Sequence, residues 1–181
     1  MDDHKDLEAV ERCRRGESGA FEEIILRYQN VVMSLAYRIV RNNEDARDVA
    51  QAAFVKAYAS LDSFDPRHKF FSWLYRIAVN ESLNFVDRRN RRNTLVPDWT
   101  AAASDPEEKL AFSELNGKID KALRRLQPAQ RALLALSVDG FSYREIGRIL
   151  DLSEDKVRSK LFSARAKLRQ FLGQDGWPAH E

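Results

Sequence analysis

The sequence places an aromatic cluster close to a run of arginines, and this pairing is its most suggestive chemical feature. Four aromatics fall within six positions of KFFSWLYRI, residues 69–77, and DRRNRR follows at residues 87–92. Aromatic rings can stack an unpaired base, while arginine and asparagine suit phosphates and base edges. Ordinary core packing and contact with a membrane surface are alternatives. The aromatics and arginines together favour single-stranded nucleic acid.

A helix through residues 72–91 would sort this segment into two faces. The inner stripe is apolar and comprises Leu74, Ile77, Ala78 and Phe85. The outer face has side chains three or four positions apart and comprises Arg76, Asn80, Asn84, Arg88 and Arg91. Aromatics spaced as closely as Phe70, Phe71, Trp73 and Tyr75 cannot all point inward. We therefore expect one or two of the four at the surface, with Trp73 at least partly buried.

The C-terminal part has the pattern of a helix-turn-helix. Ser142 and Glu145 have the spacing of a capping box, at the head of a short helix that ends at Leu150. Asp151–Ser153 is a three-residue turn, and Ser153 caps a helix from Glu154 to about Leu172. A small core between the two helices is predicted from Ile146, Ile149 or Leu150, Leu152, Val157 and Leu161. Gly147 is small where the two helices would approach most closely.

The second helix of this motif carries a basic face. Six basic residues and no acidic one lie between Lys156 and Arg169. The outward residues of its first turns, where recognition helices meet the major groove, are Lys156, Arg158, Ser159 and Lys160. Arg165 and Arg169 are placed to contact phosphates further along the helix. DNA binding is the favoured interpretation, and a plain helical hairpin with a solvated basic face is the alternative.

Helices must position both features, because helical periodicity dominates the chain and alternating strand patterns are hard to find. The N-terminal part predicts a short helix from Leu7 to Arg15, a helix of about twenty residues after a Ser18 N-cap, and a third after Asn42 or Asn43. The last of these has an inner face of Val49, Ala53, Phe54, Ala57 and Leu61. After a loop at 62–69, a long helix begins near Phe71 or Ser72 and runs to about Arg91.

The rest of the chain predicts a linker and a second helical domain. Residues 93–112 are acidic and lack sustained periodicity, although Asp105 and Pro106 could restart a helix. Helical patterns then cover 113–126 and 129–139 before the helix-turn-helix. We predict domains at 1–92 and 113–173, a linker at 93–112 and a disordered tail at 174–181.

Composition excludes several classes of protein. With 44% hydrophobic and 32% charged residues, the chain of 181 residues is globular rather than disordered. The lone Cys13 excludes an internal disulfide framework and a cysteine-clustered zinc site, and the three histidines are scattered. No window approaches the roughly 18–20 apolar residues of a membrane span, and no signal peptide is visible. We expect a cytoplasmic protein without metal, cofactor or membrane insertion.

The order of these segments resembles the bacterial extracytoplasmic-function (ECF, group IV) sigma factors of the sigma-70 superfamily. The residues that carry the resemblance are AFEEIILRYQNVV, DARDVAQAAFVKAYASLDSF and KFFSWLYRIAVNESLNFVDRRNRR, followed after the linker by LQPAQRALLALSVDGFSYREIGRILDLSEDKVRSKLFSARAKLR. The resemblance implies an all-α fold of two helical domains, a region 2 bundle and a region 4 helix-turn-helix, joined by a flexible linker.

The resemblance also implies a function that is not enzymatic. Such a protein binds core RNA polymerase, recognises the −10 and −35 promoter elements and nucleates DNA melting. Region 2 would dock on the β′ clamp helices through Asp45, Asp48, Gln51 and Phe54. Region 4 would contact the β flap, and an anti-sigma factor is expected to hold the free protein inactive.

The resemblance assigns DNA-binding roles to individual residues. Recognition of the −10 element and strand opening would fall to Ser63, Phe64, Lys69, Phe70, Phe71, Trp73, Tyr75, Arg76, Asn80, Asn84 and Arg88. Within this set, the loop at 63–69 and the start of the next helix would capture a flipped base. Recognition of the −35 element would fall to Ser142, Lys156, Arg158, Ser159, Lys160 and Arg165.

The chain departs from the family pattern at several positions. Ala52 follows Gln51 where the docking helix usually carries glutamate, and Asp151 replaces the usual glycine of the turn. Asp155 and Lys156 stand where the recognition helix usually opens with a small residue and threonine. We expect Asp155 to weaken DNA binding or to alter the preferred upstream sequence.

Two other functions are compatible with the residues. A two-domain helix-turn-helix transcriptional regulator would bind duplex DNA tightly without polymerase. A helical metalloenzyme would use Glu22, Glu23, Asp45 and Asp48, although no histidine lies at ligand spacing from them.

Overall fold

The computed structural model describes residues 3–17, 19–95 and 114–174. In these ranges the chain is helical and contains no strand. The helices are α1 (Asp3–Arg14), α2 (Ala20–Val40), α3 (Asn43–Ala59), α4 (Phe70–Leu95), α5 (Glu114–Arg124), α6 (Pro128–Val138), α7 (Tyr143–Leu150) and α8 (Glu154–Gln174). A 3-10 turn, Leu61–Ser63, follows α3. Across the described ranges, no helix is both long and apolar enough to span a membrane.

Helices α1–α4 form the first domain around the apolar stripe of α2. Fully buried side chains recur along α2 at helical spacing, at Ile24, Tyr28, Val32, Leu35, Ala36 and Ile39. The predicted N-cap, Ser18, lies outside the described residues, and the N-cap position of α2 is Gly19, with φ 90°. The helix ends at Arg41, whose φ of 61° is also left-handed. The predicted helix of about twenty residues therefore forms with one face in the core, but its N-terminal boundary is set by a glycine turn.

The other helices of this domain pack on α2 much as their sequences predict. The Asn42 side chain caps α3 by accepting a hydrogen bond from the Asp45 amide at 3.0 Å. The predicted inner face of α3 is buried throughout. Helix α4 begins at Phe70, one residue before the prediction, and continues to Leu95. In α1, the buried carboxylate of Asp6 accepts hydrogen bonds from Tyr28 and Arg27 and so ties α1 to α2.

Helices α5–α8 form the second domain, with the predicted helix-turn-helix at α7 and α8. Gln127 and Gln130 make a capping box at the start of α6, where Pro128 occupies the first turn. Helix α6 ends before Gly140, whose φ of 83° is in the left-handed region that favours a residue without a Cβ. Most of the predicted linker, including Asp105 and Pro106, lies outside the described residues, as does most of the predicted tail.

The two domains pack against each other, which the sequence patterns did not predict. Helix α2 contacts α6, and α4 contacts both α6 and α7. Arg131 of α6 donates to the Ile39 carbonyl at the end of α2, at 2.6 Å, and Arg124 donates to the Arg41 carbonyl at 2.7 Å. Burial, reinforced by the charges of Arg41, Arg89 and Arg124, lowers the pKa of Arg131 to about 10, so it remains a cation at neutral pH. Arg131 and Arg124 thus donate to carbonyls at the end of α2, which have no partner within the helix.

Candidate nucleic-acid and polymerase interfaces

None of the four aromatics of residues 70–75 is fully exposed, so the expectation that at least one or two lie at the surface is met only in part. Phe70 and Tyr75 are buried, at 1% and 0% exposure, and Phe71 and Trp73 are half-buried. Phe64 of the preceding loop is also buried, and its ring lies 5.4 Å from the rings of Phe70 and Trp73. In this packed form, Phe64, Phe70 and Tyr75 therefore present no face on which a DNA base could stack.

The second domain covers the part of this cluster that the first domain alone would leave open. Phe71 stacks on Tyr28 on one side and on Phe141 on the other, with ring centroids 5.7 and 5.5 Å away. Tyr75 also packs against Phe141, with centroids 5.1 Å apart. Phe141 comes immediately before the helix-turn-helix, about seventy positions along the chain, so no local pattern near Phe71 could have predicted this contact.

Polar contacts reinforce the same interface between the domains. Asp139, at the end of α6, accepts two hydrogen bonds from the Arg38 guanidinium, at 2.7 and 2.8 Å. It also accepts a hydrogen bond from the Tyr75 hydroxyl at 3.2 Å. Burial and the nearby charge of Asp139 raise the pKa of Tyr75 well above its ordinary value. Sequence reasoning assigned no role to Arg38, Asp139 and Phe141, because the contacts that join them to the other domain span 64 to 101 positions.

The outer face predicted for α4 is exposed. It consists of Arg76, Asn80, Asn84, Arg88 and Arg91, which we call the polar face of α4. At the C-terminal end of this face, Phe85 and three arginines line a cavity of about 440 Å³. Arg89, on another side of the helix, instead pairs with Asp45 of α3. The polar face therefore offers amide and guanidinium groups to a ligand along several turns of one helix.

The loop between α3 and α4 adds exposed polar groups beside the polar face. Ser63 and Lys69 are exposed, and the Ser63 hydroxyl donates to the Ser60 carbonyl at 2.6 Å. Asp65 is held by the Arg67 side chain and amide, which lower the pKa of its carboxyl to about 2. These hydrogen bonds within the loop order it beside the buried ring of Phe64.

The capping box and the turn of the helix-turn-helix form as predicted. The Ser142 amide and hydroxyl donate to the Glu145 carboxylate at 2.9 and 2.7 Å, and the Glu145 amide donates back to the hydroxyl at 3.3 Å. These hydrogen bonds lower the pKa of Glu145. Asp151 adopts the left-handed conformation, with φ 54°, that the family's usual glycine would adopt. A Cβ on Gly147 would lie 2.5 Å from the Leu152 carbonyl oxygen, so the close approach is to the turn rather than to α8.

The first turns of α8 present the predicted recognition surface. Val157 and Leu161 are buried, while the four outward residues Lys156, Arg158, Ser159 and Lys160 are exposed. Asp155 has a side-chain exposure of 92% and lies 3.7 Å from the Arg158 guanidinium. Arg165 is also exposed but donates to the Ser137 hydroxyl of α6 at 2.9 Å. Most of the basic groups of α8 are therefore available to a polyanion.

A largely apolar groove lies between α2 and α3. Its volume is about 580 Å³, and we call it the α2–α3 groove; it is lined by Phe21, Ile25, Gln29, Asn30, Met33, Arg47, Ala50, Gln51, Phe54, Val55 and Tyr58. Val55 and Tyr58 are large hydrophobic side chains that remain 64% and 63% exposed. Exposed apolar surface of this kind indicates a protein partner.

Four residues were predicted to dock on polymerase, and they occupy three different environments. Gln51 and Phe54 line the α2–α3 groove, although Phe54 is only 7% exposed. Asp48 is exposed outside the groove lining, and half-buried Asp45 is paired with Arg89. The second domain has exposed apolar residues of its own, Val138 on α6 and Phe162 on α8.

The acidic residues of the metalloenzyme hypothesis do not form a metal-ligand cluster. Within residues 3–17, 19–95 and 114–174, no three His, Cys, Asp or Glu side chains are grouped to hold a metal ion. Glu22 and Glu23 are exposed on α2, and Arg12 pairs with Glu23 at 2.8 Å.

Comparison with known proteins matches both halves of the chain to one family. Sigma-70 region 2 matches residues 24–92, and Sigma-70 region 4 matches residues 116–168. The RNA polymerase sigma-H factor of Pseudomonas aeruginosa is 33% identical over 93% of this chain and 94% of its own length. The ECF RNA polymerase sigma-E factor of Escherichia coli K12 is 37% identical over 86% of this chain and 88% of its own.

Two solved structures share the arrangement of helices. CnrH, in complex with the cytosolic domain of CnrY, has a TM-score of 0.69 and 26% identity, and the match covers 95% of this chain and 99% of CnrH. The sigma factor RpoE of Bartonella quintana, in complex with the anti-sigma factor NepR, has a TM-score of 0.67 and 25% identity, covering 86% of this chain and 98% of that one. With two regions matched in order and relatives of the same length, the chain belongs to the sigma-70 family, as an RNA polymerase sigma factor of the ECF type.

Proposed function

We propose that this chain is a promoter-specificity subunit of RNA polymerase rather than an enzyme, and that it acts in the cytoplasm. It joins core polymerase, recognises the −10 and −35 elements and nucleates DNA melting. The observation that carries the proposal is the presence, on one chain, of three exposed surfaces with different chemistry. These are the apolar α2–α3 groove, the polar face of α4 and the basic first turns of α8.

The α2–α3 groove supports docking on the β′ clamp helices. A helical partner would bury Val55 and Tyr58 and meet Gln51 and the backbone of the groove floor beside Phe54. Apolar contact at a groove centre with a polar rim is the usual composition of a protein interface. Asp48 would lie on the rim, whereas Asp45 would contribute mainly by holding Arg89 in place. Val138 and Phe162 give region 4 a separate apolar surface for the β flap.

The polar face of α4 and the neighbouring loop support recognition of the −10 element. Asn80, Asn84 and the flanking Arg76 and Arg88 would contact bases and phosphates, with Ser63 and Lys69 at the loop. The half-buried rings of Phe71 and Trp73 are the aromatics nearest to the surface, and Phe71 becomes accessible once Phe141 moves away. Phe64, Phe70 and Tyr75 would support the surface from inside. A flipped base costs a few kcal/mol, which such contacts would offset.

The first turns of α8 support recognition of the −35 element in the major groove. Arg158 and Lys156 would contact base edges or phosphates, with Ser159 and Lys160 beside them. Ser142 serves first as the N-cap of α7, and its exposed position leaves that helix N-terminus able to meet a phosphate. Arg165 would contact DNA only after releasing Ser137.

An anti-sigma factor is the expected regulator. One of the similar structures is a sigma factor bound to the anti-sigma factor NepR, and the other is CnrH bound to the cytosolic domain of CnrY. A regulator of the present chain would cover the α2–α3 groove or stabilise the contact between the two domains. We place region 2 at 1–92, the linker at 93–112 and region 4 at 113–173.

Run-off transcription with core polymerase tests the proposal directly. The purified chain is added to core enzyme and to a library of genomic fragments, and the start sites are mapped. We expect initiation at a limited set of sites that requires both the chain and core enzyme. Tight duplex binding by the chain alone, without any promoter-dependent initiation, would instead support a regulator that acts without polymerase.

A further inference from the structure

One guanidinium nitrogen of Arg14 holds the backbone of the loop between α3 and α4. Arg14 is the last residue of α1, and its Nη2 donates to the carbonyl oxygens of Leu61, Asp62 and Phe64 at 2.9, 3.3 and 2.6 Å. The hydrogen bonds join positions 47 to 50 residues apart, so they do not arise from local chain geometry. No motif in the sequence marks Arg14.

The three carbonyls converge because the backbone turns tightly after α3. Leu61–Ser63 is a 3-10 turn, in which the Phe64 amide already donates to the Leu61 carbonyl at 3.1 Å. Carbonyls at the end of a helix or turn often lack a backbone partner, and each carbonyl oxygen has two lone pairs with which to accept. Hydrogen bonds from a cation are about twice as strong as those between neutral groups. Arg14, on another helix, therefore stabilises the backbone of this turn strongly.

The carbonyls that accept from Arg14 belong to residues on both sides of Ser63 in the chain. The Ser63 side chain is exposed, and its hydroxyl is oriented by donating to the Ser60 carbonyl at 2.6 Å. Phe64 is anchored from the other side by its buried ring, which packs on Phe70 and Trp73. With both sides held, Ser63 and the following exposed residues have a fixed position relative to the polar face of α4.

We propose that Arg14 is a positioning residue for base selection in the −10 element. It sets the loop that captures the flipped base, without touching DNA itself. This inference rests on the function proposed above for the loop at 63–69. A site that discriminates between bases needs its hydrogen-bonding groups held within a fraction of an ångström, and supporting contacts supply that accuracy. Loss of Arg14 lets the loop shift, and the chain then accepts the wrong base more readily.

The remaining contacts of α1 separate this role from a general effect on folding. Ala9 and Val10 are buried, and Asp6 is bonded to Tyr28 and Arg27, so α1 stays docked without Arg14. Arg15, the next residue, is exposed and donates no side-chain hydrogen bond to the loop, which makes Arg15→Ala a matched control. Arg14→Lys is the informative conservative change. One ammonium nitrogen carries three donors, and the loop is held through one nitrogen.

The experiment uses full-length protein with core polymerase on a promoter whose start site has been mapped. Templates carry each of the four bases in turn at the −10 position that flips, and 2-aminopurine fluorescence beside it reports opening. For Arg14→Ala we expect the preference for the correct base to fall about tenfold, as for the loss of a hydrogen bond to a charged group. Arg14→Lys should restore most of the preference, and Arg15→Ala should match the wild type.

Several controls separate the possible failures. A pre-melted template should leave the loss of base preference in Arg14→Ala unchanged, because melting is not what Arg14 supplies. Unchanged base preference in Arg14→Ala would overturn the proposal. An equal loss of rate on all four templates, not rescued by Arg14→Lys, would also overturn it and indicate a structural role. If the wild-type protein itself opened no promoter, that result would contradict the proposed sigma function rather than the role of Arg14 alone.

Discussion

The ring of Phe141, at the entrance to the helix-turn-helix, stacks on Phe71 of α4 with the two planes only 10° apart. This contact holds region 4 against the N-terminal end of α4, which carries some of the residues proposed to open the DNA strands. Centres of elements at −10 and −35 lie about 25 base pairs, or about 85 Å, apart on B-DNA. Helix α4 carries Phe71 and is the longest helix in the described residues, with 26 residues. Its length of about 39 Å is less than half of that distance. We therefore expect the Phe71–Phe141 contact to break when both domains hold their promoter elements.

Cross-linking the two domains should block initiation. In a Cys13→Ser background, Arg38→Cys and Asp139→Cys place thiols where the ion pair joins α2 to α6, and a short bis-maleimide links them. We expect promoter-dependent transcription to be lost after cross-linking and to be present before it. The matched control links Arg12→Cys to Glu23→Cys, because that pair joins α1 to α2 within region 2. Full activity of the protein linked between its domains would show that they need not separate.

The α2–α3 groove should bind core polymerase through its exposed apolar side chains. Val55→Ser and Tyr58→Ala remove apolar surface that is already exposed in the free protein, so they should leave its stability nearly unchanged. We expect each to weaken core binding about fivefold to thirtyfold, which corresponds to about 1–2 kcal/mol at an interface. Fluorescence anisotropy of labelled protein titrated with core enzyme measures this. Leu26→Ser is the matched control, because Leu26 is equally exposed on α2 but does not line the groove.

Features set by neighbours within one helical turn could be predicted from the sequence. The Ser142–Glu145 capping box, the Asn42 cap and the buried stripe of α2 each depend on side chains three or four positions apart. The left-handed Asp151 follows from its place in a three-residue turn. The exposed faces of α4 and α8 follow from the same periodicity, since each lies opposite an apolar stripe.

Features that depend on distant residues could not be predicted in this way. Crowding was expected to force at least one or two aromatics of residues 70–75 to the surface, but Phe71 and Trp73 are half-buried because Phe64, Tyr28 and Phe141 supply partner rings. The Arg14 contacts with the loop span about fifty positions and likewise leave no periodic signal. Packing between the domains decided where these side chains lie, and a single sequence does not contain that information in any local pattern.

Removing a positive charge and removing a negative charge from the recognition helix should change DNA affinity in opposite directions. Arg158→Ala should weaken binding of the holoenzyme to the −35 element and reduce by about one the slope of log affinity against log salt. Asp155→Ala should strengthen binding several-fold, because an exposed carboxylate beside phosphates is removed and Arg158 is released from it. Filter binding at several salt concentrations checks both. Weaker binding by Asp155→Ala would show that this carboxylate accepts from a base instead.

Alkaline titration should show that Tyr28 and Tyr75 ionise late. Burial, together with Asp6 beside Tyr28 and Asp139 beside Tyr75, raises the pKa of both phenols. The folded state therefore favours the neutral phenols. Their contribution to the free energy of unfolding is fully present below pH ~10 and is lost as the pH rises through the raised pKa values of the folded state. Phenolate absorbance should show two late phenols that ionise as circular dichroism reports unfolding. Asp139→Asn should lower the pKa of Tyr75 toward its ordinary value and leave the pKa of Tyr28 raised. Tyr58→Phe is the control and should leave the pKa of both Tyr28 and Tyr75 raised. Ionisation of Tyr75 before unfolding would contradict the buried interface between the domains.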